Sequence, residues 1–331
     1  MLYKKEGFDA DFIKDISAAN FAEKALSLFQ YQYSNNYIYG QYVDAIHVDP
    51  QAVTTLQAIP FLPISFFKTH RVTSGEQAQC PLVFQSSGTT GEATSKHYVA
   101  DEHIYHQSLL KGFEQFYGSI GNYAILALLP SYLERSNASL VHMAKTLMHD
   151  SGHAANGFYL DEYDKLAQVL QTLEAAKHPT LLLGVTFALL DFAEKHPMQL
   201  SHTIVMETGG MKGRRQEWTR TQVHDYLRQQ WQLQQIHSEY GMTELLSQAY
   251  ALHDGVFQCA DTMKVFIRDV NDPFDVKESG NGCLNVIDLA NIHSCSFIAT
   301  EDIATLYKDG SFEVLGRMDH TALRGCNLMV V

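Results

Sequence analysis

The run Ser86-Ser87-Gly88-Thr89-Thr90-Gly91, followed by Lys96, concentrates hydroxyls and glycines in one short stretch. Glycines let the backbone approach an anion closely, hydroxyl and amide donors can surround it, and a lysine adds a point charge. That is the composition of a phosphate-gripping loop. It does not feed a helix, because Lys96-His97-Tyr98-Val99 reads as a strand, as does Leu82-Val83-Phe84-Gln85 before it. A loop between two strands can close over a triphosphate. The same residues would also make an ordinary surface hairpin.

A second stretch, Ser238-Glu239-Tyr240-Gly241-Met242-Thr243-Glu244, follows a strand predicted over Gln234 to His237. Loops beyond the carboxyl ends of strands are where open α/β sheets bind ligands. Tyr240 there can stack on an adenine face. The Thr243 hydroxyl and Glu244 carboxylate can hold a magnesium ion that bridges phosphates. As plain structure, the segment is a strand-to-helix turn with Glu244 in the first helical turn.

A third pair of stretches is Thr300-Glu301-Asp302 and Gly316-Arg317-Met318-Asp319. Asp302 can accept hydrogen bonds from both hydroxyls of a ribose, and Arg317 can support the ribose or a phosphate. As plain structure these are turns of a β-meander, which Asp309-Gly310 certainly is.

The elements that must position these residues alternate along the chain. The first 60 residues read mostly helical, and Ile59-Pro60-Phe61-Leu62-Pro63 breaks that pattern. Asp101 caps a helix with apolar positions Ile104, Leu109, Phe113, Phe116 and Tyr117, ending at Gly118. Tyr123 to Leu129 reads as a buried strand. Tyr163, Leu166, Val169, Leu170, Leu173 and Ala176 recur at helical spacing. Thr180 to Gly184 and Thr203 to Met206 are strand-like, and Gln216 to Gln230 is helical. Strands alternating with helices imply parallel sheets covered on both faces. After about Gly255 short strands follow at Met263 to Arg268, Leu284 to Ile287, Ile303 to Tyr307 and Phe312 to Leu315. The expected organisation is one domain over 1–331, with α/β subdomains over 1–254 and a β-rich subdomain over 255–331.

Bulk properties narrow the classes of function. The chain has 331 residues, of which 46% are apolar and 18% charged, an ordinary globular composition with ample material for a core. A formal net charge of −13 repels phosphate backbones and anionic membranes, so neither is an expected partner. Cys80, Cys259, Cys283, Cys295 and Cys326 form no CxxC pair, which argues against a disulfide framework and for a reducing cytoplasm. No apolar stretch follows Lys4 and Lys5, so no signal peptide is expected. The apolar run Thr180 to Leu190 is too short to span a bilayer and reads as a strand entering a helix. Sixteen histidines include His149 and His153 at a spacing of four, but no HExxH, and no metal site is assigned to them.

Taken in order, the three motifs resemble those of the adenylate-forming superfamily, which includes acyl-CoA synthetases and luciferases. Within it the chain resembles the acyl-protein synthetase (long-chain fatty-acid–luciferin-component ligase) group, near the phenylacetate-CoA ligases. The closer match rests on Ile59-Pro60-Phe61-Leu62-Pro63-Ile64-Ser65-Phe66-Phe67-Lys68, Leu129-Pro130-Ser131-Tyr132-Leu133-Glu134-Arg135, Glu207-Thr208-Gly209-Gly210-Met211-Lys212-Gly213-Arg214 and Arg324-Gly325-Cys326-Asn327-Leu328-Met329. It runs from about residue 55 to the end.

The resemblance implies an α/β fold, the N-terminal-type adenylation domain, with parallel sheets flanked by helices and a small β-rich subdomain. It implies ATP and Mg²⁺ as cofactors. It assigns Ser86, Ser87, Gly88, Thr89, Thr90, Gly91 and Lys96 to the phosphate loop, and Gly209 and Gly210 to a strand-end turn flanking adenine and acyl substrate. Tyr240, Gly241, Thr243 and Glu244 become adenine and magnesium contacts, Asp302 the ribose ligand and Arg317 its neighbour. Full-length members continue past the Gly-Arg-x-Asp hinge into a mobile domain of roughly a hundred residues, which brings a catalytic lysine. Only 14 residues follow Arg317 here, so that domain is expected to be absent. Lys96, Lys212, Arg214 or a partner protein is then left to supply the charge. In acyl-protein synthetases a cysteine near the C-terminus accepts the acyl group, and Cys326, beside Arg324, matches it; a nearby arginine favours the thiolate. The other four cysteines are expected in the core.

The expected reaction is activation of a carboxylic acid, a fatty acid by resemblance or else an aromatic one, to acyl-AMP. Transfer to a protein thiol follows, then delivery to a reductase or carrier protein. The rival readings are a CoA ligase and a non-adenylating, acyl-carrying or partner-docking subunit.

Overall fold

The computed structural model describes residues 8–75, 80–86, 94–130, 137–209 and 218–318. Its helices are α1 (Ala10–Lys14), α2 (Phe21–Asn35), α3 (Tyr37–Ala45), α4 (Phe66–Thr69), α5 (Glu102–Tyr117), α6 (Ser139–Ser151), α7 (Tyr163–Ala175), α8 (Thr186–Lys195) and α9 (Arg220–Trp231). Its first strands are β1 (Leu62–Pro63), β2 (Leu82–Gln85), β3 (Lys96–Val99), β4 (Ala124–Leu128), β5 (Gly157–Phe158), β6 (Thr180–Val185), β7 (Thr203–Thr208), β8 (His237–Tyr240), β9 (Ala249–Ala251) and β10 (Gln258–Cys259). The remaining strands are β11 (Met263–Arg268), β12 (Val276–Lys277), β13 (Gly280–Asp288), β14 (Phe297–Leu306) and β15 (Phe312–Arg317).

The α/β half is a sheet in the order β10-β9-β8-β7-β6-β4-β5. Strands β4 to β8 are parallel, and β9 and β10 add an antiparallel edge. Every residue of β4 and β6 is buried, as strands covered on both faces require. Helices α8 and α9 reach the face that carries Glu207, and α5 packs its Phe116 and Tyr117 on Tyr250 of the other face. The second sheet runs β1-β14-β13-β11-β12, with β15 on the free side of β14. It is antiparallel except for the β1–β14 pair. One continuous core joins the two sheets.

The crossing points are specific. Strand β1, from residues 62–63, belongs to the second sheet, while β10, from 258–259, completes the first. From α2, the Gln32 amide donates to the Asn291 and Ile292 carbonyls and accepts from the Ser296 N–H. Asp288 at the end of β13 is fully buried and accepts from the N–H groups of Leu246, Ser247 and Ala290 and from the Ser247 hydroxyl. The stretch between β8 and β9 has no regular structure of its own, so Asp288 holds it to the second sheet.

Local sequence accounts for most elements. The Asp101 carboxylate caps α5 by accepting from the His103 N–H, and Gly118 closes the helix at φ +72°. β2 and β3 form the expected hairpin, and Thr180 to Lys195 is the expected strand entering a helix. Asp309-Gly310 is a turn, with Gly310 at φ +85°. Two boundaries differ. The expected helix from Gln216 begins at Arg220, because Thr219 and Gln222 form a capping box that fixes its start; Gln216 itself lies outside the described residues. The strand expected over 234–237 runs from His237 to Tyr240, so Ser238, Glu239 and Tyr240 are in the strand and not beyond it. Partners on both sides, β7 and β9, decide that register. Among the described residues no helix is long and apolar enough to cross a membrane.

Candidate functional site

Tyr240 ends β8, and its hydroxyl donates to Asp302 Oδ2 at 2.8 Å. Its ring packs against Phe257 and Phe312, with centroids at 5.9 and 5.6 Å. Burial raises the phenol well above its ordinary pKa, followed by the charge of Asp302, so the hydroxyl stays a donor. Asp302 lies on β14 directly across from Arg317 on β15, and the Arg317 Nε donates to Asp302 Oδ1 at 3.0 Å. The two residues therefore sit in paired strands and not in turns. Each Asp302 oxygen has one donor from the chain, and the Arg317 side chain remains 62% exposed against 8% for Asp302.

Glu244 is buried, with the Ser95 side chain beside its carboxyl. Burial raises its pKa, while Ser95 and the positive charge of Arg317 pull it back. No helix follows Glu244, so it is not a first-turn helix carboxylate. The Asn291 amide donates to the Glu244 carbonyl. Ser95 lies at the base of the Ser86–Gly91 loop, where the Ser95 N–H donates to the Ser86 hydroxyl and the Ser86 N–H to the Ser95 carbonyl. Lys96 follows, exposed, opposite Gln85. The loop base, the Tyr240–Glu244 segment and the Asp302–Arg317 pair thus meet at the carboxyl end of the parallel strands.

Gly209 follows β7 at φ +71° with open space where a side chain would stand. Gly241 follows β8, and a Cβ there would lie 2.4 Å from Glu239 Oε1. Both glycines are exposed and stand just past the carboxyl ends of the neighbouring strands β7 and β8.

Two buried carboxylates near the ends of β7 and β8, Glu207 and Glu239, carry no role in the sequence reading. Glu207 accepts from the Thr186 hydroxyl at 2.8 Å and the Ser238 hydroxyl at 3.0 Å, with Arg220 Nε at 3.5 Å. Burial alone would raise its pKa, but His224, Arg220 and Thr186 together hold it below the ordinary value. Glu239, on the other face, accepts from the Thr208 hydroxyl at 2.6 Å. Burial pushes its pKa up to about 7, against the Thr208 bond and with the help of Glu207. The available signal was a glutamate one residue before the end of each strand; placing Glu239 after its strand hid the pairing.

The donor set suits the expected ligands. A carboxylate at Glu244 and a hydroxyl at Thr243 are hard oxygen ligands of the kind that would hold magnesium. Among the described residues no three His, Cys, Asp or Glu side chains gather to hold a metal by themselves. Ser87, Gly88, Thr89, Thr90, Gly91, Gly210, Lys212, Arg214 and Cys326 lie outside the described residues. Of the other cysteines, Cys283 and Cys295 are core, whereas Cys80 and Cys259 are only half-buried, because one lies just before the hairpin and the other on the two-residue edge strand β10.

Neither a scan of protein-family models nor a search of curated proteins gives a match. Solved structures do match. An open conformation of 2-hydroxyisobutyryl-CoA ligase in complex with 2-HIB-AMP and CoA superposes with a TM-score of 0.67 at 11% identity, over 96% of this chain and 75% of that one. ATP-bound MatB from Rhodopseudomonas palustris gives a TM-score of 0.54 at 15% identity, over 74% of this chain and 50% of that one. O-succinylbenzoate coenzyme A synthetase (MenE) from Bacillus subtilis, in complex with AMP, gives 0.52 at 15%, over 73% and 50%. The chain spans about half the length of the first structures it matches. At these identities the likeness is one of fold, and the chain has the α/β fold of these ligases.

Proposed function

We propose that this chain activates a carboxylic acid with ATP and passes the acyl group to a protein thiol. A carboxylate oxygen attacks the α-phosphorus of ATP; the new P–O bond forms as the bond to pyrophosphate breaks, and pyrophosphate leaves. A thiolate then attacks the acyl carbon, the bond to AMP breaks, and AMP leaves. The observation that carries the reading is the meeting of Ser95, Tyr240, Glu244, Asp302 and Arg317 at the carboxyl end of the parallel strands. The fold likeness to ligases solved with ATP, AMP or an acyl-AMP supports it.

In this reading the Ser86–Gly91 loop and Lys96 hold the triphosphate, Asp302 and Arg317 the ribose, and Tyr240 with Gly209 and Gly210 the adenine. Thr243 and Glu244 would hold magnesium, which when bound would neutralise negative charge on the triphosphate. The fixed donors need no reorganisation as charge develops. Lys96, Lys212 or Arg214 supplies a cation at the triphosphate. A fatty acid is the substrate the resemblance favours.

Cys326 is the proposed thioester acceptor, and the acyl group then passes to a partner such as a reductase or carrier protein. Burial pushes Cys259 and Cys295 up to about 12 and raises Cys283 as well, which keeps these thiols protonated. Cys80 lies 3.6 Å from the Arg71 guanidinium and is the control thiol. Acid-dependent ATP–pyrophosphate exchange tests the first step, and its absence across a broad panel of acids, with and without partner proteins, removes it. Cys326→Ala should keep exchange and lose hydroxylamine-sensitive labelling by radioactive acid, while Cys80→Ala keeps both. The fold likeness to CoA ligases favours one second reading, direct transfer to CoA; acyl-CoA formation undiminished in Cys326→Ala would select it.

A further inference from the structure

The turn Thr243–Glu244 is tied to the hairpin twice. The Ser95 side chain lies close enough to the Glu244 carboxyl to lower its pKa, and Nδ1 of His97 lies 2.9 Å from the Thr243 carbonyl oxygen. Ser95, just before β3, and His97 on β3 both approach the same turn. A carbonyl oxygen only accepts, so Nδ1 carries the proton and the neutral ring leaves Nε2 as an acceptor. Nε2 is buried with no partner among the described groups. The ring is fully buried, edge-on to Phe67 with centroids 5.8 Å apart and to Phe84 at 6.4 Å. Burial lowers its pKa to about 4, so it is a neutral donor at neutral pH.

For stability alone this is a poor residue. A buried acceptor without a donor costs on the order of 1–3 kcal/mol, and an apolar side chain in this aromatic pocket would avoid that cost. What only a donor at this place supplies is the bond to Thr243, 146 positions away in sequence. From the other side Asp288 and Asn291 hold Leu246, Ser247 and the Glu244 carbonyl. The turn is clamped between the second sheet and β3, and His97 is the backbone-directed half of the β3 clamp.

We propose that His97 is a positioning residue: its Nδ1–H holds the Thr243 carbonyl and so sets the Thr243–Glu244 turn against the base of the Ser86–Gly91 loop. It ties the candidate magnesium turn to strand β3, and only that ligand assignment rests on the adenylation reading.

The test compares His97→Asn, whose amide nitrogen stands where Nδ1 does, with His97→Leu, which has no donor, and His97→Gln, whose amide stands where Nε2 does. Amide hydrogen exchange over residues 241–247 is read in the ligand-free full chain, beside the thermal midpoint. His97→Leu and His97→Gln should speed local exchange by about tenfold, the worth of one lost hydrogen bond, without an equal fall in global stability. His97→Asn should restore slow exchange. Unchanged local exchange in His97→Gln, or equal acceleration in His97→Asn, overturns the proposal, and these two polar variants decide it even where His97→Leu does not fold. Mg·ATP should raise the midpoint of the parent and of His97→Asn more than that of His97→Gln. A parent that Mg·ATP does not stabilise at all counts against the nucleotide reading, while the exchange data still decide His97.

Discussion

Asp302 and Arg317 face each other across β14 and β15, and the Arg317 Nε lies 3.0 Å from the carboxylate while Tyr240 takes its other oxygen at 2.8 Å. The exposed partner of this pair is the arginine, and the buried partner is the carboxylate. A ribose at Asp302 would therefore compete with donors of the chain itself, and the arginine is the one that solvent already reaches.

This arrangement separates binding from stability at Arg317. An ion pair with one exposed partner contributes about 1 kcal/mol or less. Arg317→Ala should thus leave urea unfolding within that range of the parent, yet sharply reduce the thermal shift given by Mg·ATP. A large loss of stability with an unaltered thermal shift would make Arg317 a structural residue only.

Glu244 should matter through its charge. Glu244→Gln keeps the shape beside Ser95 but not the negative oxygen that magnesium needs. Loss of one such preorganised group typically costs about a hundredfold in rate. Magnesium-dependent pyrophosphate exchange should fall by about that factor, with no matching loss of folding stability. Because burial raises the Glu244 pKa, exchange by the parent should climb with pH as the carboxyl ionises. Near-normal exchange in Glu244→Gln at every magnesium concentration would remove Glu244 from the site.

Glu239 should make stability depend on pH in a definite direction. Its pKa is raised in the fold, from 4.5 to about 7, so the folded state binds the proton more tightly. That contribution is complete below pH 4.5 and is lost as pH rises through 7; the two pKa values put an upper bound of about 3 kcal/mol on it. Urea unfolding of Glu239→Gln at pH 5 and pH 8 should show a smaller drop than the parent. Equal drops would mean that the Glu239 carboxyl titrates as if it were in water.

Asp288 should be the costliest single position near the site. Asp288→Ala removes the acceptor of three N–H groups and one hydroxyl, all buried. The expected loss is about 3–5 kcal/mol by chemical denaturation, and Asp288→Asn, which keeps one acceptor oxygen, should cost less. A loss under about 1 kcal/mol for Asp288→Ala would show that the 241–248 stretch is held by other groups.

How far the site was legible depended on sequence distance. The hairpin around Ser86 and Lys96 could be read because its two strands are adjacent in the chain and pair with each other. The α5 cap at Asp101 and the stop at Gly118 are likewise contained within a turn of their helix. By contrast β8 was placed early by three residues, because Ile236 and the residues before it carry the apolar signal while the pairing with β7 and β9 selects His237–Tyr240. The same misplacement concealed that Glu239 faces Thr208.

The residue types alone determined the alternation of strands and helices, the glycine turns and the roster of polar residues able to meet a nucleotide, since each follows from short-range sterics, capping and hydrophobic period. The tertiary structure decided which of those residues touch. Tyr240 meets Asp302 across 62 positions and His97 meets Thr243 across 146. Such contacts depend on strand order and register, and on which face each side chain then takes. No local pattern encodes them, because a shift of one residue along a strand turns every side chain to the opposite face.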